Sequence, residues 1–335
     1  MNLNREQKIK VMKQSQRFST PRSPEISVLL PTYNRSDDLL RTLEALENQT
    51  LAEELFEIIV VDDGSQDFTE KKLQHFNERT QSRFSYATLK KNGGPARARN
   101  VGLRMCRAWL VIIIGDDIEP EPSFVEKHLY FHKQNPGEEY AMLGYVSFPE
   151  ELKANTFMRW LENKGQKYYF NFDELVPGQS AGPLFFYTCN VSLKMALLKK
   201  SGWFDESFQF ASHEDLELGH RLVARGMQLL YDPKVRGYHW HKLSVDGISR
   251  RVYLMGYSAE LYWQKVGYDS GPIKNAARKI LTGISSISLA KILWNRLRNK
   301  KYNENIPYPL HWHILLFLSF FIGLSDALKK RSLRL

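Results

Sequence analysis

Ile58-Ile59-Val60-Val61-Asp62-Asp63-Gly64-Ser65 and Leu110-Val111-Ile112-Ile113-Ile114-Gly115-Asp116-Asp117 decide the fold. Each is a run of apolar, mostly β-branched residues that stops at a pair of carboxylates. A run that is apolar at every position, rather than at alternate ones, reads as a strand buried on both faces, as in a parallel sheet covered by helices. In open α/β sheets ligands bind just beyond the carboxyl ends of the strands. The two acidic pairs are therefore expected to converge on one crevice. Carboxylates held that close repel one another unless a cation or a donor-rich ligand stands among them. The pattern points to an enzyme or binder for a metal–phosphate substrate.

Working outward, residues 26–30 read as a strand that ends at Pro31-Thr32-Tyr33-Asn34, and Leu39, Leu40, Leu43 and Leu46 follow at helical spacing. After the strand at 58–61 come a helix over 69–80 and a short strand at 86–89. The loop Asn92-Gly93-Gly94-Pro95 then opens a helix at Ala96, and the strand at 111–114 closes this half. Strands and helices alternating at this length give a doubly wound α/β sheet. The second half is less regular. It carries a strand at 141–148, an aromatic irregular stretch at 150–183 and a helix ending at Gly202. A helix at 214–225 stopped by Gly226, a short strand at 228–232 and helices over 252–263 and beyond Ala276 complete it. The first 24 residues are basic and poor in apolar groups, and read as a tail or a frayed helix.

The 335 residues suffice for one large α/β domain with an appended piece, and 43% hydrophobic with 25% charged residues is a globular composition. Two cysteines, Cys106 and Cys189, make no disulfide framework and suit a reducing cytosol. No apolar signal segment opens the chain. A net charge of +10 calls for an anionic partner, whether membrane surface, phosphate-bearing substrate or nucleic acid. No nucleic-acid-binding motif is present, so nucleic acid is not an expected partner. Near the C-terminus the apolar block 314–324 is shorter than the roughly 20 residues that span a bilayer. His311, Trp312 and His313 precede it, and Lys329, Lys330, Arg331 and Arg334 follow. Aromatic and basic flanks suit an interfacial helix on an anionic membrane, and a helix buried against the fold fits the apolar run equally.

The motifs taken in order resemble those of the family 2 glycosyltransferases of the GT-A fold. They are Pro31-Thr32-Tyr33-Asn34-Arg35, Val60-Val61-Asp62-Asp63-Gly64-Ser65, Asn92-Gly93-Gly94 with Ala98-Arg99-Asn100-Val101-Gly102, and Gly115-Asp116-Asp117-Ile118-Glu119-Pro120. Asn190-Val191-Ser192, Gly202-Trp203-Phe204-Asp205-Glu206, His213-Glu214-Asp215 and Tyr238-His239-Trp240-His241 follow. The resemblance covers roughly residues 26–256, and its specificity lies in the ordered series.

That resemblance implies a set of roles. Asp62 and Asp63 receive the base and ribose of a nucleotide, since a carboxylate accepts from an imide N–H or a hydroxyl. Pro31, Thr32 and Tyr33 flank the base. Arg99 meets the diphosphate or a carboxylate of the nucleotide site, and Arg97 is either a second such cation or a solvated one. Gly115 stands where the family's DxD motif has its first aspartate. Asp116 is then left to supply the ribose contact, and Asp117 to hold Mn²⁺ or Mg²⁺ on the donor diphosphate. Of His239 and His241, two apart and on one face if extended, one completes the metal site or touches the diphosphate, His239 before His241. Asp215, paired with Glu214 at a helix start, is the general base. Trp203, Phe204 and the aromatics of 157–172 either stack on sugars or fill the core.

The expected division is a basic tail at 1–24, a nucleotide-sugar-binding half at 25–125, an acceptor half with the base at 126–250, and a C-terminal helical region at 251–335. The expected activity is metal-dependent, inverting transfer of a sugar from a nucleotide diphosphate, a UDP-sugar foremost, to a hydroxyl of a glycan or lipid-linked glycan. The expected location is cytoplasmic, at the inner face of the cell membrane. Two other readings stay open: a nucleotidyltransferase making nucleotide sugars, and a nucleotide-sugar binder without turnover, for which Gly115 is the argument. The sequence names neither the sugar nor the linkage.

Overall fold

The computed structural model describes residues 9–19, 23–165, 168–267, 284–302 and 306–329. Its strands are β1 (Ile9–Gln14), β2 (Ile26–Thr32), β3 (Phe56–Asp62), β4 (Phe84–Leu89), β5 (Leu110–Ile114), β6 (Ile118–Pro120), β7 (Tyr140–Ser147), β8 (Ser180–Ala181), β9 (Asn190–Lys194) and β10 (Gln228–His239). The helices are α1 (Ser36–Glu47), α2 (Thr69–Arg79), α3 (Pro95–Met105), α4 (Phe124–Gln134), α5 (Thr156–Asn163), α6 (Met195–Ser201), α7 (Glu214–Ala224), α8 (Val245–Lys265), α9 (Ile284–Arg298) and α10 (Pro309–Leu328). Two compact units result, one made of Met1–Pro149, Asp173–Gln209 and Glu214–His241, the other of Glu150–Phe172, Phe210–His213 and Lys242–Leu335.

The first unit is built on one mixed sheet in the order β1-β4-β3-β2-β5-β9-β7-β10-β6, with β8 beside β10. β4, β3, β2 and β5 run parallel, joined by α2, α1 and α3. β9 then reverses direction against both β5 and β7. The expected double-faced burial is observed: every residue of β3, β4 and β5 is buried, as is all of β2 except Pro31. Each such Val, Ile or Leu contributes about 1.5–3 kcal/mol over its exposed state. α1 forms because Leu39, Leu43 and Leu46 line one buried stripe and Asp37 and Asp38 favour its positive end.

Two expectations need correction here. Residues Ile9–Gln14, read as part of a tail, form β1, an antiparallel edge strand on β4. Its stability comes from backbone pairing on one side, which leaves little apolar signature. The remainder of the expected tail, 1–8 and 20–22, lies outside the described residues. The strand read at 228–232 continues to His239, with its pairing to β7 interrupted between Asp232 and Arg236. Pro233 falls in that interruption, where its missing N–H costs no ladder bond.

β9 carries Asn190, Ser192 and Lys194, all buried. A hydrogen-bond chain from α4 satisfies them. Lys194 donates to His132 Nδ1 (3.1 Å), His132 Nε2–H to Ser192 Oγ (2.8 Å), Ser192 to His128 Nδ1 (2.8 Å), and His128 Nε2–H to Asn190 Oδ1 (3.1 Å). The ammonium at one end fixes the direction and both tautomers. Burial pushes the His128 pKa down to about 3; burial, then Lys194 and His128, push His132 down to about 2.

The second unit contains α5 and α8–α10. Phe157, Trp160, Leu161, Ile248, Val252, Trp312 and Leu316 form one cluster, and Tyr253, Trp294, Leu315 and Ile322 another. A Cβ on Gly256 would fall 1.9 Å from the Phe320 carbonyl oxygen, and one on Gly323 2.0 Å from that of Tyr253, so α8 and α10 touch backbone to backbone. Asp326, fully buried, takes Lys291 Nζ at 2.9 Å and the Tyr253 hydroxyl at 3.2 Å.

α10 also corrects the sequence reading. The 11-residue apolar block 314–324 is the middle of a 20-residue helix that is long and apolar enough to cross a membrane by length and composition, with half of that stretch buried within the protein. The flanks that suggested an early end are helical because Trp312 and Asp326 are buried, the latter with ionic and hydroxyl partners. Lys330, Arg331 and Arg334, and the stretch 276–283, lie outside the described residues.

Candidate active site at the strand ends

Beyond the carboxyl ends of β2 and β3 the loops are clasped together. Asn34 adopts the left-handed region (φ 53°), which asparagine tolerates, and its N–H donates to Ser65 Oγ at 2.8 Å. In return the Gln66 N–H donates to Asn34 Oδ1 at 2.7 Å. Thr32 lies in register with Asp62, and Asp62 with Thr88 at the end of β4. Tyr33 projects outward, 42% exposed, and Pro31 is half-buried in β2.

The first acidic pair divides its labour. Asp63 accepts from the Gly93 N–H (2.9 Å) and the Gly94 N–H (2.8 Å). Gly94 can turn its N–H inward because it sits at φ +91°, and a Cβ there would lie 2.6 Å from the Gln209 carbonyl oxygen. Burial, resisted by those two N–H donors, pushes the Asp63 carboxyl up to about 6. Asp62 takes the Ser65 N–H at Oδ1 (2.9 Å), while its Oδ2 is buried with no hydrogen-bond partner. The neighbouring Thr88 hydroxyl is also buried and unpartnered. A buried orphan acceptor is costly unless a ligand satisfies it. Asp62 is therefore left with one unpartnered oxygen, and Asp63 organises the loop before α3.

The second acidic pair lies at the end of β5. β6 begins directly after Asp117 and runs antiparallel to the far end of β10, with Ile118 opposite His239. The Trp240 N–H donates to the Asp117 carbonyl at 3.1 Å. This register sets His239 Nε2 3.0 Å from Asp117 Oδ2. Arg35, three residues beyond β2, donates to Asp117 Oδ2 and to Asp116 Oδ1, the latter at 3.3 Å. Burial alone would raise the Asp117 pKa; His239 and Arg35 outweigh it and hold the carboxyl well below the usual range. Burial pushes Asp116 upward against the pull of Arg35, with the Asp117 charge adding to it. His241 pairs instead with Asp38, Nδ1 to Oδ2 at 3.5 Å.

Gly115 has a local reason. A Cβ there would stand 2.8 Å from Asp117 Oδ1 and 3.0 Å from Ile118 Cγ1. The absent side chain leaves the Asp117 carboxyl room to face His239.

Carboxylate oxygen beside imidazole nitrogen is a donor set that suits Mn²⁺ or Mg²⁺. Among the described residues no three His, Cys, Asp or Glu side chains form a complete metal cage. Asp117 and His239 thus fit a cation that takes its remaining ligands from a bound phosphate, with Arg35 at hand for the same anion.

At the head of α7, Glu214 is buried and accepts from Arg99 Nη1 at 2.7 Å. Arg99 itself lies over the Phe204 ring, 5.2 Å from its centre. Phe204 is core, and Trp203 lies under Arg104. Asp215 is half-buried, and its Oδ1 accepts from the Leu216 N–H at 2.8 Å. The structure thus joins Arg35, Asp116, Asp117 and His239 in one cluster and Arg99 with Glu214 in another. Two participants were not singled out from the sequence. Arg35 closes the first quoted motif, where a cation just past a strand end was the available signal. Thr88 gave none, being one threonine in a buried strand.

The family model described as Glycosyl transferase family 2 matches residues 27–191. Validoxylamine A glucosyltransferase of Streptomyces hygroscopicus subsp. limoneus is 32% identical over 231 residues, 63% of this chain and 50% of that protein. Chondroitin synthase of Escherichia coli is 28% identical over 268 residues, 72% of this chain and 38% of that protein. The chain spans half or less of the length of these two relatives. Among solved structures, mannosyltransferase PcManGT of Pyrobaculum calidifontis, in complex with GDP-Man and Mn²⁺, superposes with a TM-score of 0.58 at 15% identity, covering 92% of this chain and 88% of that one. S. aureus TarS 1-349 in complex with UDP gives 0.51 at 15% identity, covering 92% and 93%. With the sheet order, the strand-end acids and these matches together, residues 27–191 are similar to glycosyl transferase family 2 and the chain has the GT-A fold.

Proposed function

We propose that this protein transfers a sugar from a nucleotide diphosphate, a UDP-sugar foremost, to a hydroxyl of a glycan or lipid-linked glycan, with inversion at the anomeric carbon. The observation that carries the reading is the cluster of Arg35, Asp116, Asp117 and His239 just beyond the parallel strands. It combines carboxylate, imidazole and guanidinium where a diphosphate would lie. The unpartnered Asp62 Oδ2 accepts a hydrogen bond from the base or ribose. Asp117 and His239 hold Mn²⁺ or Mg²⁺, which when bound neutralises charge on the leaving diphosphate. Arg35 turns its guanidinium to the same diphosphate.

Asp215 takes the proton of the acceptor hydroxyl as its oxygen bonds to the anomeric carbon and the bond to the diphosphate breaks. Glu214, neutralised by Arg99, holds the start of α7 in place. Uridine is chosen over guanosine on the TarS complex with UDP, and the GDP-Man complex makes guanosine the competitor. The protein acts at the inner face of the cell membrane, attached through the stripe Leu310, Ile314 and Phe317, which α10 leaves exposed.

The test is nucleotide release from a panel of UDP- and GDP-sugars with mixed glycan acceptors, with Mn²⁺ and with EDTA. Acceptor-dependent release of UDP that EDTA abolishes is the expected result. Full activity in EDTA would remove the metal role, and pyrophosphate release from a sugar phosphate and a nucleoside triphosphate would replace the reading with nucleotidyl transfer.

A further inference from the structure

Arg35 holds a place at the strand-end acids that a metal ion would need. Its Nη1 donates to Asp117 Oδ2 and lies 3.3 Å from Asp116 Oδ1, so one nitrogen bridges the two carboxylates. The same Asp117 oxygen lies 3.0 Å from His239 Nε2. Both aspartates are buried, Asp116 at 6% exposure and Asp117 at 8%. Two buried carboxylates so close need a cation between them, and a guanidinium keeps its charge throughout the physiological pH range.

Asp117 Oδ2 cannot serve Arg35 and a divalent ion at once. An ion such as Mg²⁺ binds carboxylate oxygen at about 2.0–2.1 Å, and on this oxygen it would crowd a like charge. Entry of the ion therefore requires the guanidinium to move. The backbone around it is pinned on both sides. The Asn34 N–H donates to Ser65 Oγ and Asn34 Oδ1 accepts from the Gln66 N–H, while the Ser36 N–H donates to Asp67 Oδ2 at 3.1 Å. The movement thus falls to the Arg35 side chain, which is 37% exposed and has a solvent side to turn to.

We propose that Arg35 is a positioning residue that closes the metal site to a bare cation and opens it to a cation that arrives with a diphosphate. Without nucleotide, the guanidinium compensates Asp116 and Asp117 and competes with the ion for Asp117 Oδ2. A diphosphate offers the guanidinium phosphate oxygens, which it pairs with as it does with carboxylate. Transfer of Arg35 to the phosphates releases Asp117 Oδ2, beside His239. Metal and nucleotide then bind cooperatively, because one side chain must leave the metal's ligand to meet the nucleotide. The inference rests on the metal role proposed above and adds to it the residue that couples the two ligands.

Direct Mn²⁺ binding to the full chain tests this, read from the electron paramagnetic resonance of free Mn²⁺, with and without UDP, in wild type and Arg35→Gln. Wild type should bind Mn²⁺ weakly alone and about tenfold or more tightly with UDP, the scale of a coupling between two ligands. Arg35→Gln should bind Mn²⁺ alone about tenfold more tightly than wild type does, and UDP should add correspondingly less. A merely structural ion pair would not produce a gain in metal affinity on its removal. The variant should also melt at a lower temperature than wild type in EDTA, with Mn²⁺ restoring much of the loss, since the ion replaces the missing cation. Mn²⁺ affinity without UDP that is unchanged or weaker in Arg35→Gln, while UDP still tightens it in wild type, would overturn the role of Arg35 and leave the metal reading standing. No Mn²⁺ binding to either protein, even with UDP, would overturn both. If Arg35→Gln does not fold, wild type alone decides: Mn²⁺ bound as tightly without UDP as with it would overturn the proposal.

Discussion

His239 Nε2 stands 3.0 Å from Asp117 Oδ2, although 122 residues separate them in the chain. Two features produce the meeting: β10 runs on past Pro233, and β6 pairs antiparallel with its last residues. The pair brings one carboxylate oxygen and one imidazole nitrogen together at the strand ends, where the proposed metal would take both. Asp117→Asn should therefore lower metal-dependent turnover by about 10²-fold or more, the scale of losing one preorganised charge contact. His239→Ala should act in the same direction, and Mn²⁺ titration in the presence of UDP should show weaker binding in both variants. Unchanged Mn²⁺ affinity would separate the pair from the metal.

Gly115 is predicted to be required for the direction of the Asp117 side chain. In Gly115→Ala the new methyl would stand 2.8 Å from Asp117 Oδ1, and the carboxyl would rotate away from His239 and Arg35. Turnover should fall while binding of the nucleoside portion at Asp62 persists, so the Kd for UDP without metal should change little. A variant with wild-type kcat would show that Asp117 has room to spare.

Glu214 and Asp215 should separate in their effects. Arg99→Met leaves the Glu214 carboxylate buried and unpaired, which costs about 3–5 kcal/mol of stability. Asp215→Asn should leave the melting temperature nearly unchanged and reduce kcat by about 10²–10⁴-fold. Thermal melts beside single-turnover rates distinguish the two, and equal losses of stability in both variants would make Asp215 structural.

Acid stability should report the His128–Ser192–His132 chain. Both histidines have folded pKa values far below the ordinary 6.5, because burial disfavours the charged ring. Below about pH 6.5 the unfolded chain binds these protons and the folded one does not, so stability falls as pH drops. Each histidine contributes a slope of about 1.4 kcal/mol per pH unit until its folded pKa is reached. Denaturant midpoints measured from pH 7 to pH 4 should fall steeply in wild type and less steeply in His128→Gln. Parallel curves would mean that the histidines titrate normally.

The sequence was legible where burial is uniform. β2, β3 and β5 are apolar runs that stop at Thr32, Asp62 and Gly115, and reading them placed the crevice and its acids. β9 was hidden because Asn190, Ser192 and Lys194 look like surface residues until His128 and His132, some 60 residues earlier, satisfy them. β1 was hidden because an edge strand needs no apolar face. α10 outran its apolar block because Trp312 and Asp326 are held by partners that the local sequence does not contain. Within the site, residue types were readable and partnerships were not. Nothing in Asp62-Asp63 tells which carboxylate a loop claims, since the answer lies in the Gly93 and Gly94 N–H groups 30 and 31 residues away.

The most direct measurement of the central claim is calorimetric titration of the full chain with UDP, with and without Mn²⁺, in wild type and Asp62→Ala. The account predicts saturable binding that Mn²⁺ tightens and that Asp62→Ala abolishes. Absence of UDP and GDP binding with the metal present, in a folded wild-type protein, would contradict it.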